Sequence, residues 1–332
     1  MGLTSRERVV AAIEHREPDR VPIDINPVLE SYVSLKDYLG LDIEENIKAS
    51  SMLEVVPHPD VLSELGVDVI SVKLVTSSGG QASQPSDDLK YNAWGVGLKR
   101  VEQPGGGSYL EPVFHPLAEA RIDDLKDYPW PDPQAVAQGR ATELMAKRLY
   151  EDTDLALMGR FGGPIVETAV YLVGFERWLL LVGEDPGFAS ALLERITEIA
   201  MALDRIGLEA TAEYLQIFKA SGDDFGMQTG PLYSPKMFRT LFLPHLRRRW
   251  RAARAYLDTV NPSAKLMFHS CGGIRPLIPD LLQIGLEILD PVQPLAEGMD
   301  AGELKQTFGD RLTFHGGVDE QRLAFWTAQQ AV

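Results

Sequence analysis

The chain's only cysteine, Cys271, stands two places after His269 in the stretch KLMFHSCGGIRPLI, residues 265–278. On an extended strand residues i and i+2 share a face, so the imidazole and the thiol would point the same way. Thiolate and neutral imidazole are ordinary zinc ligands, and a catalytic zinc takes a third protein donor while keeping one position open. A thiol or water on such an ion loses its proton near neutral pH. The same spacing also suits a small buried thiol beside a histidine bonded to backbone, because cysteine is among the most buried residue types. Spacing alone leaves both alternatives open.

Other residues invite chemistry for similar reasons. SGDDFG (221–226) carries Asp223 and Asp224. Adjacent carboxylates can hold an amine, position a cation, or act as acid and base with one pKa raised by its neighbour. Aspartates in such turns equally cap the helix that follows. His315 precedes Gly316-Gly317, and the glycines suggest close backbone approach. Asp223, Asp224 and His315 are therefore the candidate catalytic groups, and His269 and Cys271 the candidate metal ligands. Candidate substrate contacts are Asp24, Asn26, Lys73, Arg160, Asp290, Gln293 and Asp319. The arginine run 247–249 reads instead as a solvated helix face with its aliphatic stems packed down.

These candidates fall at the ends of expected strands. VDVISVKL (67–74) is β-branched and apolar on both faces, as a strand buried in a parallel sheet should be. Strands are expected near residues 21, 67, 155, 215, 265, 288 and 312, alternating with helices over Ile165–Val182, Pro186–Tyr214, Pro235–Leu257 and Ile274–Ile284. Such alternation implies a parallel sheet with right-handed crossovers. A closed (β/α)8 barrel needs eight strands and gathers its functional residues at their C-terminal ends. The segment 79–115, rich in Gly, Ser and Tyr, reads as an antiparallel hairpin excursion, with strands over Tyr91–Glu102 and Ser108–His115 and turn glycines at 79–80 and 105–107. Thr4-Ser5-Arg6-Glu7 reads as a capping box whose helix ends before Pro18.

With 332 residues, 45% of them hydrophobic, and no repeat or linker, residues 1–332 are expected to form a single domain. Lys and Arg number 32 against 48 Asp and Glu, a net charge of −16. An acidic surface repels phosphate backbones and anionic lipid, which argues against nucleic-acid and membrane partners. One cysteine allows no intrachain disulfide and suits a reducing cytoplasm. The opening MGLTSRERVV lacks a signal peptide's apolar core. The apolar run Trp178–Val182 is far shorter than the ~20 residues of a membrane helix. A cytoplasmic protein is expected.

Four blocks carry a family resemblance: TSRERVVAAIEHREPDRVPIDI at the start, GDDFGMQTGPLYSPKMFRTLFLPHLRR in the middle, FHSCGGIRPLIPDLLQIGLEILDPVQP, and FHGGVD. In order and spacing they span almost the whole chain and resemble the uroporphyrinogen decarboxylase (URO-D) superfamily. The resemblance implies a TIM-like (β/α)8 barrel with its active site at the C-terminal mouth, the eighth strand lying beyond Val332. True uroporphyrinogen decarboxylases carry an arginine-rich segment after strand one and an aspartate at the end of strand two. Here those places hold Ile25-Asn26-Pro27-Val28 and Lys73, which argues against heme-pathway decarboxylation. The cobalamin-dependent methyltransferase branch carries a His-x-Cys zinc pair at this strand, matched by His269-Ser270-Cys271. Its usual third ligand, a cysteine near the last strand, has no counterpart, leaving a carboxylate, a histidine such as His315, or a residue beyond Val332. The resemblance thus implies zinc-assisted methyl transfer between a small methylated donor or thiol and a corrinoid supplied by a partner protein, with a homodimer as the form of self-association. A metal-free carboxy-lyase, with Lys73 and Arg160 gripping a carboxylate, and a non-catalytic binding barrel are the alternatives.

Overall fold

Period-two alternation of apolar side chains builds the central sheet. The computed structural model describes residues 2–43, 54–76, 89–102, 108–323 and 325. Its strands, in chain order, are β1 (Val69–Lys73), β2 (Lys90–Tyr91), β3 (Gly97–Glu102), β4 (Ser108–Phe114), β5 (Ala156–Arg160), β6 (Ile217–Gly222), β7 (Gly226–Met227), β8 (Gly230–Pro231), β9 (Lys265–His269), β10 (Ile288–Val292) and β11 (Thr313–Gly316). Six of them pair in the order β1-β5-β6-β9-β10-β11, every pair parallel. Helices fill the crossovers, including Pro186–Thr211 after β5 and Leu243–Val260 after β6. The fold is α/β, a curled parallel sheet of the TIM-like barrel type.

Because side chains alternate across a strand, each barrel strand has an inner and an outer face. Val69, Ala156, Met158, Ile217, Met267 and Ile288 form one buried cluster with Val9 and Ile13 of the helix Ser5–Ile13. The helix therefore covers the N-terminal end of the lumen. Thr4 and Glu7 exchange the two bonds of a capping box at its start. Ile70, Val72, Leu157, Phe218, Leu266, Phe268 and Leu289 point the other way, into the main core under the helices. Two or four places beyond the inner apolar cluster, on the same face, stand Lys73, Arg160, Lys219, His269 and Asp290. The strands thus run from an apolar floor to a charged mouth.

The expected strand at 21–25 is a correction. That segment lies along β1, held by Ile23 N–H to Asp68 Oδ2 at 2.8 Å and Asp68 N–H to Ile23 O at 2.8 Å, but it forms no ladder. Pro22 removes one amide, and the Asp68 side chain takes the next, so no regular pairing can propagate. Asp24 nevertheless reaches His315 on β11, Oδ2 to Nε2 at 3.2 Å. The two edges of the sheet are thereby brought together.

Three further differences have plain causes. The excursion is a three-stranded antiparallel sheet, β2-β3-β4, with one more strand than the expected hairpin; the turn glycines at 79–80 and 105–107 lie outside the described residues. The expected helix over 165–182 breaks into Val166–Val173 and Phe175–Glu184 at Gly174, whose φ of 87° a helix cannot hold. The arginine run is not a solvated face throughout. Arg249 is 1% exposed and bonds Asp204, Nε to Oδ2 at 2.6 Å and Nη2 to Oδ1 at 3.0 Å.

That buried pair ties the loop after β5 to two helices, since Asp204 also accepts from Gly162 N–H at 2.8 Å and Arg249 donates to Gly163 O at 2.6 Å. Removing one partner of a buried pair strands the other charge in a poorly hydrated site. Asp204→Ala is expected to destabilise the chain by about 3–5 kcal/mol, seen as a lower midpoint of denaturant unfolding. An unchanged midpoint would show that water, not Asp204, satisfies Arg249.

Candidate active site

The mouth is organised around Asp290 on β10. Its Oδ2 accepts from His269 Nδ1 at 2.8 Å and from Lys219 Nζ at 2.7 Å, while its Oδ1 faces His315 Nδ1 at 2.7 Å. Burial would raise this carboxyl, but hydrogen bonds from His269 and His315 and the Lys219 charge hold it well below the usual carboxylate range. His315 is clasped from both sides, since its Nε2 meets Asp24 Oδ2 at 3.2 Å. With an anionic acceptor on each nitrogen, both must carry hydrogen. Burial opposes that charge most strongly, yet Asp24 and Asp290 more than offset it and raise the His315 imidazolium to about 9.

The His269-Ser270-Cys271 turn has the geometry that its spacing suggests. Ser270 is buried on the far side, its N–H bonded to Asp290 O at 2.7 Å and its Oγ accepting from Phe225 N–H at 3.0 Å. His269 and Cys271 therefore share the other face, with Nε2 and Sγ 3.5 Å apart. Gly272 has a φ of 82°, and a Cβ there would sit 2.3 Å from the Gly226 carbonyl carbon. This close crossing presses the 271–273 turn against β7, sealed by Gly273 N–H to Met227 O at 2.8 Å. Gln293 supports the same turn, accepting from Gly272 N–H at 2.7 Å.

Asp224 completes a donor group. Its Oδ1 accepts from Cys271 N–H at 2.8 Å and lies 3.6 Å from His269 Nε2. One ligand atom each from Asp224, His269 and Cys271 lie within 4.8 Å of one another, a group that could hold a metal ion. The Nδ1–Asp290 bond assigns the ring hydrogen of a neutral His269 to Nδ1, so the Nε2 lone pair faces that group. His315, by contrast, has both nitrogens committed to carboxylates.

Asp223 is fully buried and acts as a helix cap, its Oδ1 accepting from Val166 N–H at 2.6 Å and Glu167 N–H at 3.3 Å and its Oδ2 from Ser221 Oγ at 2.7 Å. Burial, partly offset by these bonds, pushes its carboxyl up. Across the mouth Lys73 and Arg160 converge on Glu54, and Arg160 Nη1 also meets Asn26 Oδ1 at 3.2 Å. Asp319 stands apart: its carboxylate caps the turn Glu320–Leu323 through Arg322 N–H at 3.2 Å, and among the described residues no hydrogen bond links it to the others.

Three site residues escape sequence reading. Lys219 had a usable signal, since it lies two places beyond the inner-face Ile217. Glu167, in the first turn of Val166–Val173, has its carboxyl pushed up to about 8 by burial first and then by Asp223 and Asp224. Glu54 belongs to no barrel strand, and nothing in its local sequence marks it.

A parallel α/β barrel with charged residues gathered at the C-terminal mouth defines a broad class of enzyme scaffolds. Within it the chain belongs to the uroporphyrinogen decarboxylase (URO-D) family, whose model matches residues 4–331. A methyltransferase from Methanosarcina mazei is similar in fold, with a TM-score of 0.53 and 18% identity over 93% of this chain and 81% of that one. None of the curated proteins compared with the chain matches it. Among the described residues no helix is long and apolar enough to cross a membrane.

The His315 clasp has a pH signature. Folding favours its charged form, so the clasp stabilises the chain in full below about pH 6.5 and loses that contribution as the pH rises through about 9. In thermal melts across this range, His315→Gln should fall furthest below the parent at the acidic end, and the gap should narrow as the pH passes 9. A gap independent of pH would show that His315 is neutral when folded.

Proposed function

We propose that the chain is a methyltransferase that passes a methyl group between a small methylated substrate or thiol and a corrinoid carried by a partner protein, acting in the cytoplasm as a single domain with zinc at its mouth. Asp224, His269 and Cys271 would hold the ion. The observation that carries this is their spacing. Zn–S near 2.3 Å and Zn–N near 2.0–2.1 Å at tetrahedral angles set sulfur and nitrogen about 3.5 Å apart, and nitrogen and a carboxylate oxygen about 3.4 Å apart. The corresponding separations here are 3.5 Å and 3.6 Å. A carboxylate behind His269 is the usual outer partner of a zinc-bound imidazole, and Asp290 stands there. Family membership and a methyltransferase of similar fold support the class of reaction.

Zinc bound here would supply a Lewis acid that polarises the sulfur or oxygen gaining or losing the methyl group. The chain's own groups do the rest. Asp290 keeps the His269 ring in one tautomer and orientation. Asp223, capping the helix that begins at Val166, orients Glu167 toward Asp224. Glu167, carrying its proton at neutral pH, can donate it to a leaving heteroatom. His315, Lys219 and Asp24 hold a fixed charge pattern opposite the donors, and Gln293 keeps the 271–273 turn in place. Asn26, Lys73 and Arg160 face substrate from the β1–β5 side.

Purified full-length chain is expected to carry stoichiometric zinc and to lose both zinc and methyl transfer on Cys271→Ser. Asp290→Asn should weaken zinc about 10–100-fold in competition with a chromogenic chelator, with the donors themselves intact. The proposal fails if metal analysis finds no zinc and Cys271→Ser retains activity.

A further inference from the structure

Lys219 stands on the inner face of β6 and reaches past a whole strand to find its partner. In the ladder it lies beside Met267 on β9, two places below His269, yet its Nζ donates to Asp290 Oδ2 on β10 at 2.7 Å. The same oxygen accepts from His269 Nδ1 at 2.8 Å. The lysine stem therefore crosses the lumen face of β9 beneath the imidazole. The backbone of β6 makes room for it. Its register slips between Lys219 and Ser221, so that Gly222 rather than Ser221 comes alongside His269. A Cβ at Gly222 would lie 3.3 Å from His269 Cβ. Bulges of this kind re-aim side chains beside functional sites.

The side chains of Lys219 and Asp290 are 11% and 9% exposed, so water screens the pair weakly. A neutral donor, such as a serine hydroxyl, would serve the second lone pair of Oδ2 as well. A lysine adds a charge, and the charges around it give that addition a use. Asp24 and Asp290 contribute two negative charges. Lys219 and His315, the latter with hydrogen on both ring nitrogens, contribute two positive ones. The cluster behind His269 is thus neutral as a whole. In front, the Asp224 carboxylate and a Cys271 thiolate supply two negative charges, which a divalent ion balances. Without Lys219 the rear cluster would hold one excess negative charge, a single imidazole away from the donor group. Such a charge enriches the imidazole and strengthens its hold on a metal. It also blunts the pull of that metal on an incoming sulfur or oxygen.

We propose that Lys219 is a positioning residue that tempers Asp290, cancelling the charge of the carboxylate while leaving its hydrogen bond to His269, so that a metal on Asp224, His269 and Cys271 is bound less tightly and stays more electrophilic. The inference rests on the zinc reading above and gives a role to a residue outside the donor set.

Zinc affinity of the full chain is read by competition with a chromogenic chelator, and binding of mercaptoethanol to the zinc-loaded chain by calorimetry. Lys219→Met, which removes the charge at similar size, is expected to hold zinc about tenfold more tightly and the thiol about tenfold more weakly. This is the opposite direction to Asp290→Asn. Lys219→Arg, which keeps the charge, should return both affinities to parent values. A merely structural lysine predicts the reverse sign, because a loosened Asp290 lets His269 turn away and zinc binds more weakly. Equal or weaker zinc binding by Lys219→Met, unchanged thiol binding, or a Lys219→Arg that behaves like Lys219→Met overturns the proposal. Should Lys219→Met fail to fold, Lys219→Gln, which keeps an N–H donor without the charge, is read against the same outcomes. A parent chain that binds no zinc overturns both this proposal and the zinc reading. Zinc tightened as expected in a chain without methyl transfer removes the methyltransferase and keeps the role of Lys219.

Discussion

A buried carboxylate with three partners fixes the geometry of this mouth. Asp290 can stay ionised out of water only because His269, His315 and Lys219 together return what hydration would have supplied. Those partners come from β9, β11 and β6, so the tips of four neighbouring strands, β10 included, are tied to one residue. Each bond restricts a ring or a side chain that would otherwise sample several rotamers. His269 is turned so that Nε2 faces Asp224 and Cys271, and His315 is turned so that its other nitrogen reaches Asp24. The donor group and the closure between sheet edges both follow from this residue.

The layering of the lumen explains why such a costly cluster is tolerable. Below it lies a plug of apolar side chains capped by Val9 and Ile13, which excludes water and gives the strands their packing energy. Above it the side chains keep partial access to solvent, as the exposure of Lys73 and Arg160 shows. A second support lies outside the lumen, where Arg249 and Asp204 pin the Gly162–Gly163 loop after β5. Directly beyond it Asp223 caps the helix that begins at Val166. The mouth thus rests on two buried carboxylates and one buried ion pair rather than on loop packing alone.

Several elements were legible in the chain because short-range rules govern them. The strand expected near 265 forms over Lys265–His269, since an apolar run ending in a polar residue before two glycines admits few alternatives. The capping box at Thr4 formed because both its bonds lie within one turn. The first expected strand failed for a non-local reason: the Asp68 side chain took the amide of Ile23 that a ladder would have used. Arg249 also resisted reading, because its burial depends on Asp204, forty-five residues earlier in the chain and on a different helix.

By itself the sequence determined the alternation of strands and helices, the inner-face position of His269, and the shared face of His269 and Cys271, because these follow from backbone periodicity and from spacings of a few residues. It also placed Asp290 and His315 on strands of the sheet. Only the tertiary structure decided which of these groups meet. Asp224 joins His269 and Cys271 because β7 crosses the 271–273 turn at van der Waals contact, and Glu54 lies between Lys73 and Arg160 because a distant segment folds over two register partners. Such encounters depend on how whole elements pack, and no local spacing encodes them.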